Sequence, residues 1–550
     1  MRSFHALGMV SVDGVLRTNI MTTRIIIHHH TPCISQGGWC VAGRRLIFAL
    51  IAVTIVCQHS AFASRTRESP GGKRVEKEKR FGQVFTPAYL VEDILDFAGY
   101  IPDKSILKKH IIDNSCGNGA FLTEVVRRYA RAYFKANPSG DAKSLALELG
   151  NFIHGIELDS ESFRECLHNL DVEAAKLKLP SVKWDVRNVD TMMVDDFDGK
   201  MDFVVGNPPY VRVHNLDADF DRVKSYKFCG GGMTDLYLVF YEIGLRMLSS
   251  HGRLCYIAPS SWINSLAGKN MREYIQSTRC LRGIIDLEHF QPFAATAYTA
   301  ICLLENGFKA DAISYSVYSS PRLVRFIDNL DYNEAFFDGA LYLSDKKTLK
   351  SFKVMKTARP PSSVEVKNGF ATLSDDVFIA DDFPFDDFVI SVIKASTGKW
   401  RKAIYPYDHQ GKPVSKKHLF ANRRIARYMD EHKGQLLKGR NESDNPTWYL
   451  YGRSQALKDV WLPKYAINTV VRDVQSIKFN FVPAGSGVYS GLYVVSDVPE
   501  ERLRAAIISD DFIRYVSLLK KYKSGGYYTF NSRELKQYLD FKLQPQGSTK

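Results

Sequence analysis

The chain has 550 residues, 45% apolar and 24% charged, the make-up of a globular protein with a sizeable core, which excludes a disordered, fibrous or small disulfide-stapled chain. Lys and Arg outnumber Asp and Glu by 14, unevenly: residues 1–80 carry a net +8, residues 81–305 a net −5 and residues 306–550 a net +11. A basic part beside a slightly acidic one suits a chain in which one part holds a polyanion while another does chemistry. At roughly 100 to 200 residues per domain the length predicts two to four domains. Nine cysteines, none after Cys302 and none in a C-x-x-C pair, point away from a disulfide framework or a zinc site and towards a metal-free cytoplasmic protein.

In chain order, Arg44-Arg45, the apolar run Leu46 to Cys57 and Ala61-Phe62-Ala63 have the three parts of a secretory signal, but about 45 residues precede them. The apolar run is too short to span a bilayer comfortably, and His28-His29-His30 is too short to argue for a metal. Residues 1–74 are read as an extension outside the core, or as a wrongly chosen start with Val75 as the initiating position. From His110 the chain runs His110-Ile111-Ile112-Asp113-Asn114-Ser115-Cys116-Gly117-Asn118-Gly119, an apolar strand end entering a glycine turn. A helix is expected from Thr123 to Phe134. Glycines there let a backbone approach a nucleotide-like ligand closely. The dinucleotide fingerprint is absent, because Phe121-Leu122 replace its third glycine, and so is the phosphate-loop lysine.

A second apolar strand, Phe152 to Leu158, carries Glu157 at its end, where a carboxylate can take both hydroxyls of a ribose. Asp190, near the end of Val186 to Met192, is a third acid of this kind. Then Met201-Asp202-Phe203-Val204-Val205-Gly206 delivers Asn207-Pro208-Pro209-Tyr210 into the loop beyond a buried strand. Two prolines fix the backbone and remove two N–H donors, leaving carbonyls and the Asn oxygen as acceptors beside a flat ring. Such a set suits the exocyclic amine of a planar base.

In this motif order the sequence resembles the S-adenosylmethionine-dependent amino-methyltransferases of DNA, specifically the gamma-class adenine-N6 enzymes of restriction-modification systems. The resemblance covers residues 81–305, and more loosely the remainder. It implies an α/β fold: a Rossmann-like methyltransferase domain (75–305) on a mostly parallel seven-stranded sheet, then a mixed α/β target-recognition domain (306–550). By the same resemblance Thr86-Pro87, in Phe81 to Pro87, lies along the methionine end of S-adenosylmethionine. Asp113, Cys116, Gly117 and Gly119 form its loop, with Asn114-Ser115 departing from the family's Pro-Ala. Glu157 takes the ribose hydroxyls, Asp190 the adenine amine, and Phe240 packs on that adenine. Asn207 to Tyr210 hold a flipped adenine, with Phe293 as the opposing aromatic and Phe290 as the competing candidate.

The basic part carries Arg423, Arg424 and Arg427, expected on one helix, and Lys521 and Lys523 in Lys520 to Tyr528. Basic groups interleaved with aromatics suit phosphate contacts and stacking. A linker is expected at Thr357 to Ser363. The resulting expectation is a monomeric modification enzyme acting on double-stranded DNA beside a separate cognate nuclease, with no membrane role. The competing readings are a fused restriction-modification enzyme, for which Glu365-Val366-Lys367 is half of a nuclease motif; transfer to cytosine N4, RNA or a protein glutamine; and a non-catalytic DNA-binding module.

Overall fold

The computed structural model describes residues 85–211, 220–230, 234–293, 297–362 and 364–544. The N-terminal extension, its signal-like run, the histidine triplet and Phe81 to Val84 lie outside them. Nine strands form one sheet: β1 (Ile111–Asp113), β2 (Ile153–Ile156), β3 (Asp185–Arg187), β4 (Met201–Gly206), β5 (Leu248–Pro259), β6 (Leu281–Asp286), β7 (Thr299–Glu305), β8 (Ala312–Ser320) and β9 (Leu323–Asp331). Their order is β3-β2-β1-β4-β5-β7-β6-β8-β9. Strands β1 to β5 pair parallel, while β7 runs antiparallel between β5 and β6. The sheet is therefore mostly parallel as expected but has nine strands rather than seven.

Both faces are covered, and the two-residue period of the strands decides which side chain goes where. Ile111, Val205, Cys255, Ile257 and Ile285 enter one core, shared with α1 (Ala88–Ala98), α2 (Ala120–Ala136), α3 (Ala142–Phe152) and α4 (Ser160–Lys176). Their neighbours Ile112, Val204, Leu254, Tyr256 and Ile284 enter the other. That second core holds α6 (Tyr237–Met247), which follows the short α5 (Phe220–Ser225), and α7 (Lys269–Thr278). It also takes Phe352, Leu503, Phe512, Tyr515 and Tyr538 from far along the chain.

The expected domain boundary at residue 305 thus falls inside the sheet, because β8 and β9 add to the β6 edge. Composition does not mark this, because strand addition depends on an edge that only the folded sheet presents. The rest of the C-terminal part is mixed α/β, with two four-stranded sheets and helices between Lys346 and Lys542. Residues Phe370 to Tyr489 enclose a core of their own. No helix or strand is formed between Ala358 and Ser362, where the linker was expected.

Candidate active site

Because β1 to β6 all point the same way, the residues after their carboxyl ends share one rim of the sheet. Open α/β sheets bind ligands there. Asp113 closes β1, Glu157 follows β2, Asp190 follows β3, Asn207 follows β4, Ser260 follows β5 and the segment to Phe293 follows β6.

The turn after β1 is built by its glycines. Gly117 (φ +54°) and Gly119 (φ +83°) adopt the left-handed conformation, and Gly119 caps α2. A Cβ on Gly119 would come within 2.7 Å of the Cys166 sulfur, whereas one on Gly117 would meet nothing within 4 Å. The loop is packed behind and open in front, a cradle that fits a small ligand laid along the backbone. Glu157, almost fully buried, accepts from Gly117 N (2.8 Å) with one carboxylate oxygen and from Asp159 N (2.8 Å) with the other. Cys116 N donates to the Ile156 carbonyl at 2.9 Å, so strand end and loop are locked together. The departure at Asn114 has a structural use: its Oδ1 accepts from Tyr256 OH (2.7 Å), and its carbonyl from Thr191 Oγ1 (2.6 Å). Neither partner is signalled in the sequence, since both are distant and come into reach only across the sheet.

Asp113 is fully enclosed; burial pushes its carboxyl up to about 8, opposed by the Ser115 N–H and reinforced by the Glu157 charge. Its oxygen lies where a Cβ on Gly206 would sit, 2.6 Å away, and Gly206 has φ +148°. Only glycine lets β4 pass this close to β1. Beyond it, Asn207 Nδ2 donates to Thr86 Oγ1 at 3.2 Å, which brings together two motifs separated by 121 residues. Tyr210 OH donates to the Ile257 carbonyl at 3.3 Å.

The Phe293 ring meets Tyr210 edge to face, centroids 6.4 Å apart and planes at 76°, while Phe290 packs on Tyr318 at 5.2 Å. Phe293 is therefore the aromatic near Tyr210. The two rings meet in one of the favoured contacts between aromatic side chains. Asp190 caps the short turn Thr191–Met193 through Met192 N and pairs with Arg222 at 2.7 Å, so both its oxygens are engaged. Phe240 is nearly enclosed in the α6 core.

Of the basic residues, Arg423, Arg424 and Arg427 lie exposed on the helix Arg423–Glu431. Lys523 is exposed, but Lys521 pairs with Glu534 at 2.5 Å. Glu365 and Lys367 find their acid downstream: Lys367 Nζ bridges Glu365 (2.7 Å) and Asp459 (2.8 Å). This is a closed ion triad, and among the described residues no group of three or more His, Cys, Asp or Glu is placed to hold a metal ion. Among the described residues no helix is long and apolar enough to cross a membrane.

Comparison with known proteins follows the same outline. Residues 141–293 match the family described as Eco57I restriction-modification methylase. The Type II methyltransferase M.BstVI of Geobacillus stearothermophilus is 30% identical over 291 residues, half of each chain. The Type II restriction enzyme and methyltransferase RM.Eco57I of Escherichia coli is 22% identical over 478 residues, 68% of this chain and 48% of that one. Among solved structures, the Type IIL restriction-modification enzyme MmeI in complex with DNA superposes with a TM-score of 0.53 at 12% identity, over 81% of this chain and 63% of that one, a likeness of fold. The chain spans about half the length of the curated relatives it matches, and over that span it is similar to restriction-modification methyltransferases.

Proposed function

We propose that this protein is a site-specific DNA methyltransferase that moves a methyl group from S-adenosylmethionine to the N6 amine of an adenine flipped out of double-stranded DNA, as the modification component of a restriction-modification system. The observation that carries this reading is the placement of Asn207-Pro208-Pro209-Tyr210 at the end of β4, with the Asn207 amide anchored on Thr86 beside the loop closed by Glu157. Thr86, Pro87, Asp113, Cys116, Gly117, Gly119, Glu157, Asp190 and Phe240 would hold the cofactor, which when bound supplies a methyl group on a sulfonium.

The chain's own part is positioning and electrostatics. Adenine N6 is a poor nucleophile because its lone pair is delocalised into the ring. Hydrogen bonds from its two N–H groups to Asn207 Oδ1 and the Pro208 carbonyl favour an amine-like geometry and free that pair for in-line attack. Since Asn207 Nδ2 donates to Thr86, the orientation of the amide, and hence of its oxygen, is set before the base arrives. Tyr210 and Phe293 stack on the base and offset part of the few kcal/mol that flipping costs. The exposed arginines Arg423, Arg424 and Arg427, with Lys523, contact phosphates. Lys521 is expected to contribute less, being held by Glu534.

The test is transfer of a labelled methyl group to unmethylated genomic DNA, followed by nucleoside analysis. N6-methyladenine supports the reading. N4-methylcytosine retains the site and overturns the base, and no transfer to DNA overturns the substrate. Asn207→Ala is expected to abolish transfer while leaving the equilibrium dissociation constant for S-adenosylmethionine within about threefold, because the side chain acts on the acceptor. Turnover near the unmodified rate would remove Asn207 from the mechanism.

A further inference from the structure

The carboxyl end of β6 leads directly into the segment that carries Phe293, and its root is gripped from far along the chain. Asp286, which closes β6, is 1% exposed. Its Oδ2 accepts from Tyr522 OH at 2.7 Å and lies 3.4 Å from Lys520 Nζ, while its Oδ1 accepts from Glu288 N at 2.9 Å. Lys520 Nζ also reaches Glu288 at 2.8 Å and Tyr315 OH at 3.0 Å. His289 is caged edge-on by Tyr298, Tyr522 and Tyr528, with ring centroids 5.9, 5.0 and 5.0 Å away. One residue earlier in the same segment, the Leu519 carbonyl accepts from Asn264 Nδ2 at 2.7 Å, and Asn264 follows the turn Ser260–Ile263 at the end of β5. Residues 519–522 therefore hold two adjacent loops of the ligand rim at once.

Two features separate this from ordinary packing. Glu288 (φ +46°) and Lys520 (φ +52°) are both non-glycine residues in the left-handed region, and they are ion-paired to each other. Such backbone persists only where its surroundings over-determine it, and it clusters at sites whose geometry matters. The buried pair that Lys520 makes with Asp286 is, moreover, a poor source of stability compared with an apolar replacement. What it provides here is direction: one cation, two carboxylates and two phenols fix the root of the segment in a single arrangement.

Resting on the reading of the site as a base-methylating centre, we propose that Leu519–Tyr522 is a positioning element for the target-base pocket. Through Asp286 and Glu288 it sets the segment that bears Phe293, and through Asn264 the turn after β5. Methyl transfer thereby depends on the C-terminal end of the chain being seated on the sheet.

The test uses the full chain with Tyr522→Phe and Glu288→Gln. Tyr522→Phe deletes one hydroxyl, and Glu288→Gln alters a side chain that is 34% exposed; both are mild changes to the fold. Three quantities are read: single-turnover transfer to DNA containing the site mapped with the unmodified protein, the dissociation constant for S-adenosylmethionine, and the melting temperature. The expected result is a fall in the transfer rate of about 10- to 100-fold, the scale of a misplaced reacting group, with cofactor affinity within about twofold; melting is nearly unchanged in Glu288→Gln and modestly lower in Tyr522→Phe, which takes a donor from the buried Asp286 carboxylate. A purely structural role would instead lower melting and cofactor affinity together with rate, and that pattern overturns the proposal, as does an unchanged rate in both variants. If Tyr522→Phe fails to fold, Glu288→Gln decides alone. Absence of transfer by the unmodified protein overturns the methyltransferase reading, and this inference with it; an unchanged rate in the variants overturns this inference only.

Discussion

Where β4 passes β1, one hydrogen atom stands in for a side chain, since a Cβ on Gly206 would lie 2.6 Å from Asp113 Oδ1. Gly206→Ala is expected to cost about 1 to 3 kcal/mol, the usual penalty for overpacking, and to displace Asn207; denaturant unfolding and transfer assays check the two effects. Asp113 itself provides a test with a definite sign. Burial lifts its folded carboxyl to about 8, so between roughly pH 4 and pH 8 the folded protein keeps a proton that the unfolded chain has released. The stabilisation tied to that proton is complete below about pH 4 and is lost as pH rises through 8. In Asp113→Asn this loss is absent, so its denaturation midpoint relative to the unmodified protein is expected to climb from pH 5 to pH 8; a constant offset would show that Asp113 titrates normally. Thr86→Val removes the acceptor that orients the Asn207 amide and is expected to lower kcat about tenfold, the effect of one lost positioning hydrogen bond, with little change in the KM for cofactor.

Among the elements, α1 and α2 are tied by one buried arginine. Arg128 donates to Asp96 (2.7 Å), Glu124 (3.1 Å) and the carbonyls of Tyr100 (3.0 Å) and Glu92 (3.1 Å). Since α1 starts just after Thr86 and Pro87, this clamp also sets where Thr86 meets Asn207. Arg128→Ala is expected to cost about 1 to 3 kcal/mol by leaving the Tyr100 and Glu92 carbonyls without their donor, read by denaturant unfolding. Element ends were less legible in sequence than element cores. The helix expected over 123–134 runs Ala120–Ala136, because Gly119 in the left-handed conformation caps it one turn ahead of Thr123. Strand β5 begins already at Leu248, ahead of Gly252, where register with Met201 extends it. The arginine helix forms as expected, with Ile425 and Met429 buried and Arg423, Arg424 and Arg427 turned outward.

For the molecule as a whole, the core on the α6 and α7 face is completed by side chains from the C-terminal helices, Leu503, Phe512, Tyr515 and Tyr538 among them. A fragment ending at Glu305 leaves that face uncovered and removes β8 and β9, which lie beyond β6. It is expected to be insoluble or to unfold without a cooperative transition, whereas residues 75–544 unfold cooperatively; scanning calorimetry distinguishes the two outcomes.

While the mostly parallel order came from resemblance to a known family, the sequence by itself announced the apolar strands and the contents of the rim, Asp113, Gly117, Glu157 and Asn207 to Tyr210 lying at or just beyond strand ends. Those features are local, set by side-chain period and turn chemistry over a few residues. Only the tertiary structure decided that β8 and β9 join the sheet, that Asp459 completes the Glu365-Lys367 triad, and that Lys520 and Tyr522 reach Asp286 across 234 and 236 residues. Such partners are chosen by which chain segments the folded cores bring within a few ångströms, and sequence spacing carries no record of that choice.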